Sequence, residues 1–139
     1  MKILFLDIDG VCNKKDTFTK DPKDFFPIDT YMAFLVGKIK LHTGCEVVLS
    51  SSWRHSPYGV DIVQRRIVPI LDTTSDSEDG IRGEEIQEWL DENPEVEKYA
   101  ILDDDDDILD EQEENFFQTD FETGLTDETA LKVIKHLNE

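Results

Sequence analysis

The chain has 139 residues, 38% of them hydrophobic, and a formal net charge of −19. That length suits one domain, residues 1–139, with one core, and the charge opposes long-range attraction to anionic membranes or to a nucleic-acid backbone. No apolar run approaches the ~20 residues of a membrane span, and Asp7 interrupts the N-terminal apolar run, which is too short for a signal peptide, so a soluble cytoplasmic protein is expected.

In chain order, Lys2 to Leu6 is expected to form a buried strand. Asn13 to Pro27 mixes charges, Pro and aromatics and reads as a loop or short excursion. Thr30 is a candidate cap for a helix over Tyr31 to His42 that ends at Gly44. "CEVVL", Cys45 to Leu49, reads as a second buried strand. A helix is expected over Val60 to Leu71 with Pro69 near its end, then a turn-rich loop, "DTTSDSEDG", from Asp72 to Gly80. Gly83 to Glu92 is amphipathic, with Ile86, Trp89 and Leu90 on one helical face. "YAIL", Tyr99 to Leu102, is a third buried strand and Phe116 to Thr119 a fourth. Thr126 to Leu137 closes the chain as a helix with a capping start. Cys12 and Cys45 make neither a disulfide framework nor a zinc quartet and read as free thiols.

Strands alternating with helices predict an α/β fold with a mostly parallel central sheet flanked by helices. In such sheets the site lies outside the carboxyl ends of the strands. Those ends are informative: "ILFL" stops at Asp7, "EVVL" at Ser50 with Ser51 next, and "YAIL" at Asp103 and Asp104. If the strands are neighbours, these groups converge. Clustered carboxylates resist ionising together. A hard divalent cation removes that conflict, and Mg2+ is typically held by a few carboxylates together with substrate phosphate oxygens. A carboxylate beside the cation can attack phosphorus, a second can shuttle the proton, a serine hydroxyl can hold a phosphoryl oxygen, and a basic residue such as Arg82 can neutralise charge on the transferred group.

These segments resemble the four motifs of the haloacid dehalogenase (HAD) superfamily in order: "FLDIDGV", "VVLS", "IRGEEI" and "AILDDDDD". The resemblance spans residues 3 to 107 and implies a Rossmann-like fold and Mg2+-dependent phosphoryl transfer. It casts Asp7 as nucleophile, Asp9 as general acid/base, Ser50 as phosphoryl ligand and Arg82 as the group that steadies the phosphate. Metal ligands would be Asp7, the Asp9 backbone carbonyl, and Asp104 or Asp103, the five-acid run leaving that register open. The wording "LSSSWR", "RGEEIQEWL" and "TDFETGLT" is most similar to small HAD phosphatase domains of RNA-repair proteins, akin to the phosphatase half of polynucleotide kinase-phosphatases. Arg stands where Lys is commoner, and its fork still suits phosphate.

Blander readings compete at single positions. An acidic run is ordinarily a solvated loop, and Asp103 to Asp107 gains meaning because Leu102 ends a strand just before it. Arg54 reads equally as a substrate-phosphate ligand or an exposed side chain. Ser51 is the second choice after Ser50. His42, His55 and His136 lack metal spacing, and Trp53 and Trp89 read as core. No P-loop, cysteine-phosphatase arginine spacing or nucleophile elbow is present. The gaps between motifs are too short for a sizeable cap domain, so an open site is expected, which by the resemblance suits large substrates. A phosphorylated partner, with polynucleotide 3'-phosphate ends foremost, is the expected substrate. The alternatives are a nucleotide or small phosphomonoester, or a catalytically idle HAD-fold protein that engages a basic partner with its acidic face.

Overall fold

A computed structural model describes residues 1–17 and 27–139. Residues 18–26, most of the expected Asn13 to Pro27 loop, lie outside the described residues. Five strands, β1 (Lys2–Leu6), β2 (Glu46–Leu49), β3 (Asp72–Thr73), β4 (Lys98–Asp103) and β5 (Phe116–Gln118), form one sheet in the order β3-β2-β1-β4-β5. Every pairing is parallel. The helices α1 (Thr30–Thr43), α2 (Pro57–Arg66), α3 (Arg82–Glu92) and α4 (Asp127–Leu137) fill the crossovers and the end of the chain.

Ile3–Leu6 of β1, Val47–Leu49 of β2 and Ala100–Leu102 of β4 are apolar because both faces of the sheet are covered there, as a parallel sheet requires. One face of β1, β2 and β4, carrying Leu4, Leu6, Val47, Leu49, Ala100 and Leu102, packs in a core with α1, α2 and α4. The opposite face, with Ile3, Phe5, Val48 and Ile101, packs on Ile86 and Trp89 of α3. The Phe5 and Trp89 rings meet edge to face at 5.5 Å. No cap domain interrupts the described residues, and no helix among them is long and apolar enough to cross a membrane.

Several boundaries differ from expectation for identifiable reasons. Asp29, not Thr30, caps α1, its Oδ1 accepting from the N–H groups of Tyr31 and Met32; Gly44 ends the helix at φ +71°. The second helix starts at Pro57 rather than Val60, because Ser56 Oγ accepts from Gly59 N–H and Pro57 suits the first helical turn. It stops at Arg66, well short of Leu71, since the residue preceding Pro69 is disfavoured in the helical region. The loop expected from Asp72 opens with β3, which exists by pairing with the otherwise open edge of β2. The fourth expected strand ends at Gln118, although Thr119 N–H still donates to Asp103 O. A 3-10 turn, Asp110–Asn115, leads into β5 and was not foreseen.

Candidate active site

The ladder continues one step past the strands. Thr74 N–H donates to Leu49 O, Ser50 N–H to Leu6 O, Asp7 N–H to Leu102 O and Thr119 N–H to Asp103 O, all at 2.9–3.1 Å. Thr74, Ser50, Asp7, Asp103 and Thr119 thus line one edge of the sheet. The register that buries the apolar faces also delivers these polar residues to that edge.

At its centre, Asp7, Asp103 and Asp104 each offer a carboxylate oxygen, all within 4.8 Å of one another. Arg82, the first residue of α3, places Nη1 2.5 Å from Asp103 Oδ2 and 3.5 Å from Asp7 Oδ1. Burial, then the neighbouring Asp103 charge, pushes the Asp7 carboxyl up to about 8, against the lowering pull of Arg82. Burial and Asp103 also raise Asp104. Asp103 is the more committed of the two β4-end acids: Oδ1 accepts from Asp105 N–H and Oδ2 from Arg82. Asp104 is partly exposed. Hard oxygen donors in a largely buried group, one of them reluctant to ionise, fit a divalent cation such as Mg2+. Asp105 and Asp106 are exposed, as the solvated-loop reading expects.

Gly10 follows the two acids for a steric reason. Its φ is +82°, and a Cβ there would overlap the Asp104 carboxylate. Asp9 is exposed, and its carboxylate is not in the three-acid cluster. Oδ1 accepts from Asn13 Nδ2 at 2.9 Å and Oδ2 from Trp53 Nε1 at 3.1 Å. Asn13 in turn accepts from Gly10 N–H. Thr119 Oγ1 donates to Gly10 O at 2.7 Å, tying the acidic loop to the far strand. Asn13, Trp53 and Thr119 were not singled out from sequence as site residues. The available signal lay in Trp53, whose indole N–H needs a partner once buried.

Ser50 is fully buried, and its Oγ has no hydrogen-bond partner among the described residues; Thr74 Oγ1 shares that condition. An orphaned buried hydroxyl is costly unless something arrives to satisfy it. Ser51 Oγ instead accepts from Trp53 N–H and caps the 3-10 turn Ser52–His55.

Arg54, expected either to reach substrate or to be exposed, has a buried side chain, 5% exposed. Its Nε donates to Thr74 O, Nη1 to Ser50 O and Ser51 O, and Nη2 to Asp76 and Glu85. Those five bonds use the whole donor set of a guanidinium, so Arg54 ties the β2 and β3 ends together. Glu85, 4% exposed, lies between the two arginines: Oε2 accepts from Arg54 and from Ser77 N–H, and Oε1 is 3.8 Å from Arg82 Nε. Asp107 caps α3 from outside its own chain segment, with Oδ2 accepting from Arg82 N–H and its carbonyl from Gly83 N–H. His55 contacts Asp76 and His136 contacts Tyr99 O, while Cys12 and Cys45 are buried and unpaired.

An all-parallel sheet with helices on both faces carries acids, an arginine and an orphaned serine at its carboxyl edge, the arrangement expected of a HAD-type domain. The family model described as "HAD domain in Swiss Army Knife RNA repair proteins" matches residues 3–130. The chain belongs to that family, which supports a HAD-type phosphatase. No curated protein and no solved structure matches the chain.

Proposed function

We propose that this chain is a Mg2+-dependent phosphomonoesterase that acts in the cytoplasm on polynucleotide 3'-phosphate ends through a covalent aspartyl-phosphate. The carrying observation is the position of Asp7 at the end of the central strand, beside two further carboxylates and Arg82. Asp7, Asp103 and Asp104 would hold the cation, with the Asp9 carbonyl as a further oxygen. Mg2+ there would supply positive charge that keeps Asp7 ionised and offsets the phosphate and the acidic chain.

In the first step an Asp7 carboxylate oxygen attacks phosphorus, and the ester P–O bond breaks. Asp9 gives its proton to the leaving alcohol oxygen. In the second step Asp9, now a carboxylate, takes a proton from water as that water attacks phosphorus, and the Asp7–phosphorus bond breaks to release inorganic phosphate. The hydrogen bonds from Asn13 and Trp53 suit this shuttle by aiming the Asp9 carboxylate. Ser50 Oγ is free to donate to a phosphoryl oxygen, and Arg82 neutralises charge that grows in the transition state. Arg54 acts as a positioning residue for Ser50 and Ser51.

The net charge of −19 favours a second reading, a phosphatase of mononucleotides or other small phosphomonoesters. A phosphate-release screen with and without Mg2+ decides between them, using 3'- and 5'-phosphorylated oligonucleotides beside mononucleotides. Brisk release from 3'-phosphorylated ends supports the first reading, and release from mononucleotides alone supports the second. Absence of Mg2+-dependent release from every phosphate would leave the idle binding protein.

A further inference from the structure

Beside the acid cluster lies a cleft of about 650 Å3, lined by Asp104, Gln118, Thr119, Asp120, Phe121 and Thr123, among others. One wall is the candidate metal ligand Asp104, so whatever fills the cleft lies next to a phosphate held at Asp7. Its volume falls in the range of small-ligand sites.

Another part of the lining is a pinned turn. Thr123 and Gly124 N–H groups both donate to Asp120 O, and Glu122 N–H donates to Asp120 Oδ1. Gly124 sits at φ +65°, where a Cβ would collide with the Met32 side chain. Lys15 N–H holds Phe121 O at 2.9 Å. The backbone is thus fixed on both sides of Phe121, yet the residue stays 48% exposed. It is the large apolar side chain that this otherwise polar cleft presents. Among the described lining residues there is no cationic side chain, and two are carboxylates. A second phosphate is disfavoured there. A neutral group with one flat apolar face and several donors and acceptors is favoured.

We propose that this cleft binds the leaving group of the reaction as a nucleoside, with the base stacked on Phe121 and the sugar hydroxyls facing Asp120 and Thr123. The inference rests on the phosphatase reading of the adjoining site. It makes Phe121 a specificity-determining residue. It also favours a phosphate borne on a nucleoside, free or at a polynucleotide end, over a base-free phosphate ester.

The test compares a nucleoside 3'-monophosphate with glycerol phosphate, both with Mg2+, for the parent chain, Phe121→Ala and Phe121→Trp. The ratio of the two specificity constants should fall about tenfold or more in Phe121→Ala, the scale on which base–aromatic stacking is lost on alanine substitution. The loss should reside in KM, and Phe121→Trp should retain the ratio. An unchanged ratio in Phe121→Ala overturns the inference and leaves the phosphatase reading standing. A titration with unphosphorylated adenosine, followed by backbone amide chemical shifts without Mg2+, separates the two ideas. Shifts at Gln118, Phe121 and Thr123 that weaken in Phe121→Ala support the cleft even if no phosphate ester is turned over. Their absence at millimolar adenosine overturns it.

Discussion

Asp7 is a carboxyl that its surroundings keep from ionising, and that reluctance has consequences for both stability and activity. Between the ordinary value of 3.8 and about 8, the metal-free folded chain retains a proton on Asp7 that the unfolded chain has lost. The folded state binds more protons in this window, so its stability falls as pH rises through it. Chelator-treated protein should therefore melt progressively lower from about pH 5 to pH 8, and Asp7→Asn should flatten that slope while retaining the fold. The same variant should lose at least ~100-fold in phosphate release, because an amide cannot supply the attacking charge; turnover like that of the parent would remove Asp7 from the chemistry. Mg2+ should raise the melting temperature through preferential binding to the folded acid cluster, and less so in Asp104→Ala. A larger loss of that effect in Asp103→Ala would move the main β4 ligand back one residue. At this scale the sequence was legible where a strand ends in an acid, as at Asp7, Asp103 and Asp104. It was not legible at Arg54, whose five bonds go to groups brought together only by folding. At Trp53 the indole's need for a partner was legible, but not the acid 44 positions away that meets it.

The start of α3 shows how an element is positioned by contacts that no local pattern announces. Ile81 at its N-cap offers no side-chain cap; Asp107 serves instead, and Gln112 Nε2 donates to Gly83 O while its Oε1 accepts from Leu109 N–H. This arrangement requires close approach at Gly83, where a Cβ would lie 2.6 Å from Leu109 N and 2.8 Å from Ile108 Cα. Alanine is the better helix former by ~1 kcal/mol, but backbone atoms cannot yield as a side-chain tip can. Gly83→Ala should thus destabilise the chain by ~1–3 kcal/mol, the range for overpacking, read as a lower urea midpoint. It should also reduce phosphate release, because Arg82 precedes Gly83 and moves with the helix start. A variant as stable as the parent would show that the 107–109 loop gives way freely. Amphipathic spacing revealed α3, and apolar runs revealed β1, β2 and β4. The two-residue β3 escaped notice because its existence comes from the edge of β2. The start of α2 was missed because Ser56 and Pro57 also read as turn residues.

For the whole molecule, the net charge of −19 and the open carboxyl edge together constrain how a nucleic acid can be gripped. A basic track along this edge would have to draw on cations such as Lys14, Lys15, Arg54, Arg65 and Arg66. Arg54 is committed to the protein interior, Lys15 pairs with Glu122 at 3.7 Å, and Arg65 pairs with Asp61 at 2.8 Å. Exposed pairs of this kind contribute little to stability, but they do cancel the field a phosphate backbone would feel. A polynucleotide would therefore be held by its terminal phosphate and the nearest nucleoside, while the remainder of its backbone meets repulsion. The specificity constant for 3'-phosphorylated oligonucleotides should rise little with length at fixed Mg2+. Added salt should leave it nearly unchanged or improve it, because screening over ~8 Å at physiological ionic strength weakens repulsion. A protein with a basic groove would behave oppositely, losing affinity steeply with salt as counterion release is suppressed. The measurement is that constant for a series of lengths at two salt concentrations. A steep gain with length that salt abolishes would reveal a basic track along the molecule, and would replace the local grip with an extended one.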